Sequence, residues 1–158
     1  MHERVSLKQL LGLTRPEGLF TGWPFGLVLI IGCGLSVVVG AWAGGGAWQG
    51  EGWMPVASLI LWAPIVEEVA FRGVVQGYLG DTRLGRRQRA GLSVANLLAA
   101  FMFTVWHLVY RTDLLAWLVF IPALVFGYFR DRTGSVLPCV ILHAAWNAAL
   151  FPGWYLFS

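Results

Sequence analysis

The sequence predicts an all-α fold, a polytopic transmembrane helical bundle of about five spans, and its composition is the first evidence for it. Hydrophobic residues make up 58% of the 158 residues, charged residues make up 12%, and the mean hydropathy is +0.68. Soluble domains carry about 25% charged residues. The composition excludes a disordered chain, because disordered chains are poor in apolar residues. It also excludes a disulfide scaffold, because the chain has only two Cys. The composition therefore indicates a membrane protein.

The second observation is the length of the apolar runs, since roughly 20 apolar residues cross a bilayer as a helix. The predicted spans are residues 19–43, 53–79, 90–110, 114–129 and 136–157. Short breaks flank the fourth span and make its neighbours antiparallel to it. Residues 19–158 are thus predicted to form a single transmembrane domain. Residues 1–18 are predicted to be a cytoplasmic or interfacial segment.

Polar or glycine-rich sequence bounds each predicted span in turn. Gly44-Gly45-Gly46 ends the first span, and the stretch Gln49-Gly50-Glu51-Gly52 precedes the second. An arginine-rich stretch, residues 83–89, precedes the third. The fourth lies between Arg111-Thr112-Asp113 and residues 130–134, and the fifth follows that second break.

The third observation is the placement of Lys and Arg, which sets the orientation of a membrane protein. With a cytoplasmic N-terminus, the inside segments hold Arg4, Lys8, Arg15, Arg83, Arg86, Arg87, Arg89, Arg130 and Arg132. The outside segments hold only Arg111. These charges face anionic headgroups, so the sequence pI near 9.2 needs no nucleic-acid partner.

Polar residues inside spans are costly and indicate function. The second span contains Glu67, Glu68 and Arg72, the third contains His107, and the fifth contains His143 and Asn147. At about 100° per residue, Glu68 and Arg72 share one helix face, whereas Glu67 lies about 140° from Arg72. We therefore predict a structural pair of Glu68 and Arg72, with Glu67 directed elsewhere. Pro64 removes a backbone N–H and is expected to free the Ile60 carbonyl.

These residue types suit the cleavage of a peptide bond by water. Glu67 would be the general base, one His would assist it, and the other His with Asn147 would stabilise the oxyanion. The alternatives are a zinc site and a Cys139–His143 dyad. A third alternative is a set of non-catalytic polar clamps between helices. The motifs of zinc, aspartyl and serine intramembrane proteases are not matched.

Three spaced motifs resemble those of the CPBP (CAAX protease and bacteriocin-processing, or Abi) intramembrane protease family. They are Glu67-Glu68-x-x-x-Arg72, Phe103-x-x-x-His107 and His143-x-x-x-Asn147. That family includes the Ras-converting prenyl-protein endoproteases, and the resemblance implies a helical core with a glutamate-type protease site. It implies that Glu67 activates water, that His107 assists, and that His143 and Asn147 form the oxyanion hole. It also implies that Glu68 and Arg72 support the site without a metal or other cofactor.

The prenyl-protein endoproteases are longer than this chain, which resembles the small prokaryotic members, including those of the JDVT-CTERM type. The resemblance implies a protein or peptide substrate with a transmembrane or C-terminal signal segment. It also implies an integral protein of the prokaryotic cytoplasmic (inner) membrane. The competing hypothesis is a non-catalytic immunity or peptide-binding membrane protein.

Overall fold

The computed structural model describes residues 6–16, 23–43 and 53–156, and these residues are mostly helical. The α-helices are α1 (Leu7–Leu10), α2 (Trp23–Ala43), α3 (Trp53–Ala57), α4 (Ala63–Glu68), α5 (Gln76–Gly80), α6 (Val94–Tyr110), α7 (Leu114–Leu118), α8 (Phe120–Thr133) and α9 (Leu137–Leu156). Two π-helical segments, π1 (Ser58–Trp62) and π2 (Val69–Val75), join α3, α4 and α5 into one long helix, Trp53–Gly80. The all-α prediction is confirmed.

Three helices are long and apolar enough to cross a membrane: Pro24–Ala43, Trp53–Gly80 and Leu114–Thr133. Val94–Tyr110 is a shorter apolar helix, and α9 lies where the fifth span is predicted. The chain is therefore an integral membrane protein, and the count of five crossings stays a prediction. The glycine-rich break after the first span lies outside the described residues.

Contacts divide the described chain into two compact units. The first unit contains residues 6–16 and 67–139, and the second contains residues 23–43, 53–66 and 140–156. Both boundaries fall inside helices, because the long helix and α9 each contribute residues to both units.

The core of the first unit is built from aromatic and small residues on α6 and α8. Phe103, Ala100 and Ala123 are at most 2% exposed, and Phe71 and Leu124 pack against them. Small side chains let helix backbones approach closely where lipid supplies no hydrophobic drive for helix association. This packing places α6 and α8 beside the part of the long helix that follows Val66.

Side-chain caps set the ends of these helices. Ser93 Oγ accepts a hydrogen bond from Asn96 N at 2.9 Å at the start of α6. Asp113 Oδ1 accepts from Ala116 N at 3.0 Å at the start of α7. Gly134, with φ +66, ends α8 in the left-handed conformation that glycine adopts without strain.

The helix of the third predicted span begins four residues later than the predicted span does. Residue 90 was expected to start it, but Gln88–Arg89 pairs with Leu92–Ser93 in a short antiparallel hairpin, β1 and β2. The two turn residues Ala90 and Gly91 have φ of 51 and 80. Positive φ at both positions matches the twist that a two-residue hairpin turn needs. The helix therefore begins at Val94.

The second unit joins α2 and α9 at three glycines. An added Cβ at Gly40 would lie 2.3 Å from Leu150 O, and one at Gly153 would lie 2.2 Å from Val37 O. At Gly32 it would lie 1.9 Å from the indole ring of Trp146. Glycine allows backbone contact between the two helices at Gly40 and Gly153, and it makes room for the Trp146 ring at Gly32.

Candidate active site

The long helix carries the acidic residues of the candidate site between its two π-helical segments. Glu67 and Glu68 end α4, and Arg72 lies in the middle of π2. Glu68 is fully buried, whereas Glu67 is half-buried. π-Helical turns inserted into α-helices are rare and often mark functional sites.

Glu68 and Arg72 form the buried ion pair that their spacing predicts. Arg72 Nη1 donates to Glu68 Oε1 at 3.1 Å, and Nε lies 3.1 Å from Oε2, so the contact is bidentate. Both side chains are 0% exposed. Each charge thus has a partner in a place where an unpaired charge is strongly unfavourable.

Three further contacts fix the guanidinium of Arg72. Its Nη2 donates to the Ala123 carbonyl at 3.1 Å. Its Cζ lies 4.5 Å from the ring centroid of Phe103 and 5.4 Å from that of Phe126. A cation over an aromatic face is stabilised by the ring quadrupole, most of all without water. Phe103 therefore supports the ion pair through its ring.

Phe103 also holds His107, which lies one turn further along α6. The Phe103 and His107 rings lie 4.4 Å apart between centroids, and the Phe71 ring meets Phe103 edge-on at 5.1 Å. His107 Nδ1 lies 2.9 Å from the Phe103 carbonyl oxygen. A carbonyl can only accept, so Nδ1 carries the hydrogen, and Nε2 of the neutral ring is the basic nitrogen.

The second unit places His143 and Asn147 on α9, one turn apart. His143 is 8% exposed, and Asn147 is half-buried. Asn147 Nδ2 donates to the Leu59 carbonyl at 3.0 Å. A carboxamide nitrogen carries two hydrogens, so this bond fixes the amide plane and leaves a second N–H for another acceptor.

The Leu59 carbonyl needs this donor because of the π register. The N–H of Ala63, its α-helical donor, donates instead to Ser58 O, five residues back. Its π-helical donor would be the nitrogen of Pro64, which carries no hydrogen. The π register thus adds the Leu59 carbonyl to the effect of Pro64, and the expectation that Pro64 frees the Ile60 carbonyl stays a prediction.

The structure groups the predicted residues into two sets. The first unit brings together Glu68, Arg72, Phe103 and His107, with Glu67 next to Glu68 in the chain. The second unit holds His143 and Asn147. The alternative nucleophile Cys139 is fully buried, and its thiol donates to the Phe126 carbonyl at 3.1 Å. That contact directs the sulfur into the first unit's core and argues against a dyad.

Sequence reasoning missed two carboxamides that attach the site helices to α8. Gln76 Nε2 donates to Gly127 O at 2.9 Å and to Asp131 Oδ1 at 2.7 Å, and Asn96 Nδ2 donates to Leu124 O at 3.0 Å. With Arg72, three side chains thus donate to carbonyls of α8. The available signal was their position inside predicted apolar spans.

Arg130 was also misjudged as a charge that only sets topology. It is 8% exposed, and its guanidinium donates to backbone carbonyls of three residues, one of which is Arg72. Its place next to a polar break made it look like an ordinary cytoplasmic arginine.

Within residues 6–16, 23–43 and 53–156, no group of three His, Cys, Asp or Glu side chains could hold a metal ion. The donor residues of the zinc alternative therefore form no such group in the described part of the chain. The site geometry consists of carboxylate, guanidinium, imidazole and carboxamide groups.

Comparison with known proteins adds one finding. A family model described as "Type II CAAX prenyl endopeptidase Rce1-like" matches residues 47–149. That stretch is well over half of the chain, and it includes every candidate site residue from Glu67 to Asn147. No curated protein and no solved structure matched the chain.

Proposed function

The chain belongs to the Rce1-like type II CAAX prenyl endopeptidase family, a family of proteases, and we propose that it is a glutamate-type intramembrane endopeptidase. Its substrate would be a membrane-associated protein or peptide with a transmembrane or C-terminal signal segment. The buried Glu68–Arg72 pair in contact with the Phe103–His107 pair is the observation that carries this proposal. It links two of the family-like motifs through contacts inside one compact unit.

Glu67 is the proposed general base. Its carboxylate removes a proton from a water molecule as the water oxygen attacks the carbonyl carbon of the scissile peptide bond. The electron pair of the C=O bond moves onto oxygen and gives a tetrahedral oxyanion. When the C–N bond breaks, the leaving amine takes the proton from the Glu67 carboxylic acid. The products are one new carboxylate terminus and one new amine terminus.

Glu68 has a different role from its neighbour. Its two oxygens engage Arg72, so it is committed to the ion pair and is not proposed as a base. The pair fixes the end of α4, and with it the backbone that carries Glu67. We assign Glu68 and Arg72 as supporting residues, with Phe103 packed on the guanidinium.

His107 is proposed to assist the attacking water. The hydrogen bond between Nδ1 and the Phe103 carbonyl selects the tautomer in which Nε2 can accept a hydrogen bond. A base with a fixed ring orientation needs little rearrangement during reaction.

His143 and Asn147 are proposed to donate to the oxyanion. Donors held before the reaction stabilise the developing charge without a reorganisation cost, and removing one donor typically lowers kcat about 10²–10³-fold. The bond from Asn147 to the Leu59 carbonyl supports this role, because it holds the amide plane in place.

The test is cleavage by the purified full-length protein in liposomes. The probes are two labelled peptides, a prenylated CAAX peptide and a transmembrane segment with a basic C-terminal tail. We expect wild-type cleavage of at least one probe, loss of cleavage in Glu67→Gln, and full activity with a chelator. Glu17→Gln is the control for the substitution itself, because Glu17 lies outside the family match.

Three outcomes would contradict the proposal. Full activity in Glu67→Gln would remove its base, and loss of activity with EDTA that zinc restores would favour the metal-dependent variant. Binding of both probes without cleavage by any form would favour the non-catalytic peptide-binding role. Product termini identified by mass spectrometry distinguish hydrolysis at one bond from background degradation.

A further inference from the structure

A folded segment outside the family match packs against the helix that carries Glu67 and Glu68. We call residues 6–16 the strap. It starts with a capping box, in which Gln9 N donates to Ser6 Oγ at 3.3 Å and Ser6 N donates to Gln9 Oε1 at 3.0 Å. Gly12, with φ +66, turns the chain after α1. The strap is therefore a defined element with its own capping interactions.

Glycines on the long helix let the backbone of the strap come close. An added Cβ at Gly77 would lie 2.2 Å from Leu10 O, and one at Gly73 would lie 3.0 Å from Leu11 O. Real Cβ atoms do not approach a backbone oxygen as closely as 2.2 Å, so the contact at Gly77 requires glycine. The strap thus packs directly on the backbone of π2 and α5.

Arg130 joins the strap to the same helix. Its Nη2 donates to Leu10 O at 2.8 Å and to Gln9 O at 3.4 Å, while its Nε donates to Arg72 O at 3.2 Å. One planar guanidinium with donors in a fixed fork therefore connects two separate pieces of backbone.

The Arg72 carbonyl, like that of Leu59, has lost its α-helical donor. The N–H of Gln76, the α-helical donor of Arg72 O, donates instead to Phe71 O, five residues back. A carbonyl left without a donor in an apolar interior is unfavourable. Arg130 donates a hydrogen bond to this carbonyl in the middle of π2.

The other end of the strap is hydrogen-bonded to the connection between α8 and α9. Ser135 Oγ donates to Thr14 O at 2.7 Å, and Thr14 Oγ1 donates to Gly134 O at 3.1 Å. Val136 N donates to Gly12 O at 3.0 Å. The strap is held at both ends and lies against the long helix between them.

We propose that Arg130 and the strap are positioning elements for the ion pair of Glu68 and Arg72. They fix the π register of Val69–Val75, and that register points the Arg72 guanidinium at Glu68. This inference rests on the proposed protease function for its effect on catalysis, but not for its effect on the helix. It assigns residues outside the family match to the support of the site.

The first test compares two glycine substitutions on one helix. Gly77→Ala places a methyl group against Leu10 O, whereas a Cβ at Gly80 meets no atom within 4 Å and borders a cavity of about 220 Å³. We expect Gly77→Ala to speed amide hydrogen exchange in both the strap and π2, and Gly80→Ala to leave both at the wild-type rate. Peptide-resolved mass spectrometry of the full-length protein in detergent measures this without any substrate.

Activity gives the second readout on the same proteins. We expect Gly77→Ala to lower kcat at least about tenfold with KM unchanged, since small misplacements of catalytic groups cost up to about 10²-fold. Gly80→Ala should keep the wild-type kcat. A loss of fold alone would lower the amount of active enzyme, so kcat is normalised to the folded fraction measured by size-exclusion chromatography.

Arg130→Lys covers the case in which Gly77→Ala fails to fold. Lysine keeps the charge without the fork of donors, so exchange in π2 should again rise, and Arg132→Lys on the exposed side of α8 is the control. Wild-type exchange in π2 for both Gly77→Ala and Arg130→Lys would overturn the inference, and so would an equal rise in the controls. A wild-type protein that cleaves no probe would refute the proposed function while the exchange data still decide on the strap.

Discussion

The long helix contains two π-helical segments, π1 in the second unit and π2 in the first, and each contains a carbonyl whose α-helical donor is diverted. At π1 the carbonyl is that of Leu59, and a neutral carboxamide on α9, Asn147, donates to it. At π2 the carbonyl is that of Arg72, and a charged guanidinium on α8, Arg130, donates to it. The two segments flank the glutamates of α4.

The difference teaches how an irregular helix is tolerated among apolar residues. Backbone groups there have no water to bond, so a carbonyl that loses its α-helical donor needs another donor from the protein. π1 recruits a residue that is itself proposed to act on substrate. π2 recruits a residue that acts through Arg72, and its surroundings carry much more charge. We therefore expect π2 to dominate stability and π1 to affect mainly turnover.

The largest stability effect is expected at π2. Arg72→Met leaves Glu68 buried without its partner, and breaking a buried ion pair on one side costs about 3–5 kcal/mol. Unfolding in a denaturing detergent, followed by tryptophan fluorescence, measures the free energy of unfolding. The double variant Glu68→Gln/Arg72→Met removes both charges and should recover much of the loss. An Arg72→Met protein as stable as wild type would refute the expected difference in stability between π2 and π1.

The next effect should appear at π1, and in turnover rather than stability. Asn147→Ala should lower kcat about 10²–10³-fold, as for other lost oxyanion donors. Its free energy of unfolding should fall by only about 0.6 kcal/mol, the average for interhelical side-chain bonds in membranes. Asn96→Ala, which loses a similar amide–carbonyl bond to Leu124, is the matched control. If both variants lose the same activity, Asn147 is only a structural clamp.

A smaller effect is expected when Pro64 is replaced. Pro64→Ala restores an N–H that can donate to the Leu59 carbonyl and compete with the Asn147 amide. We expect a helix at least as stable as wild type and a kcat lowered up to about tenfold, because the amide loses its fixed orientation. Pro122→Ala, in the first turn of α8, tests for a general effect of proline removal. Unchanged turnover in Pro64→Ala would show that π1 does not hold the amide.

The smallest effect is expected on the pKa of Asp113, which lies outside both π-helical segments and provides a baseline. The hydrogen bond from Arg111, together with the backbone N–H of Ala116, holds the pKa of the Asp113 carboxyl below its usual value. A pKa lowered by folding stabilises the folded state above the unfolded pKa, and this is lost as pH falls through the folded value. Arg111→Gln should raise the Asp113 pKa towards about 3.9, measured by NMR titration. An unchanged midpoint would mean that Arg111 is not the main cause.

Local spacing predicted the parts of the site that depend on a single helix. The i,i+4 rule gave the Glu68–Arg72 pair, and apolar run length gave the helices and the membrane setting. The rule succeeded although Arg72 lies in a π-helical turn, because residues four apart still lie close to one turn apart in such a turn. Roles for Glu67, His107, His143 and Asn147 remain predictions from residue type and resemblance.

Features that depend on register or on distant partners could not be predicted in this way. A π-helical turn leaves no residue signature beyond a nearby proline, so the effect of Pro64 on the Leu59 carbonyl could not be predicted. Arg130 sits where topology alone explains a positive charge, and its burial depends on a segment 120 residues earlier. The hairpin before α6 was absorbed into an apolar run because Leu92 and Val94 continue the pattern.

The residues that pack on the strap contact mainly its main-chain atoms. This affects how equivalent segments could be found in related proteins. Arg130 and Gly77 contact carbonyl oxygens, which every amino acid supplies. Apart from Ser6, Gln9, Gly12 and Thr14, the side chains of the strap can therefore vary while its path is kept. A search by residue similarity would overlook equivalent segments in other chains. A search for a short capped turn at a fixed distance before an irregular transmembrane helix would find them.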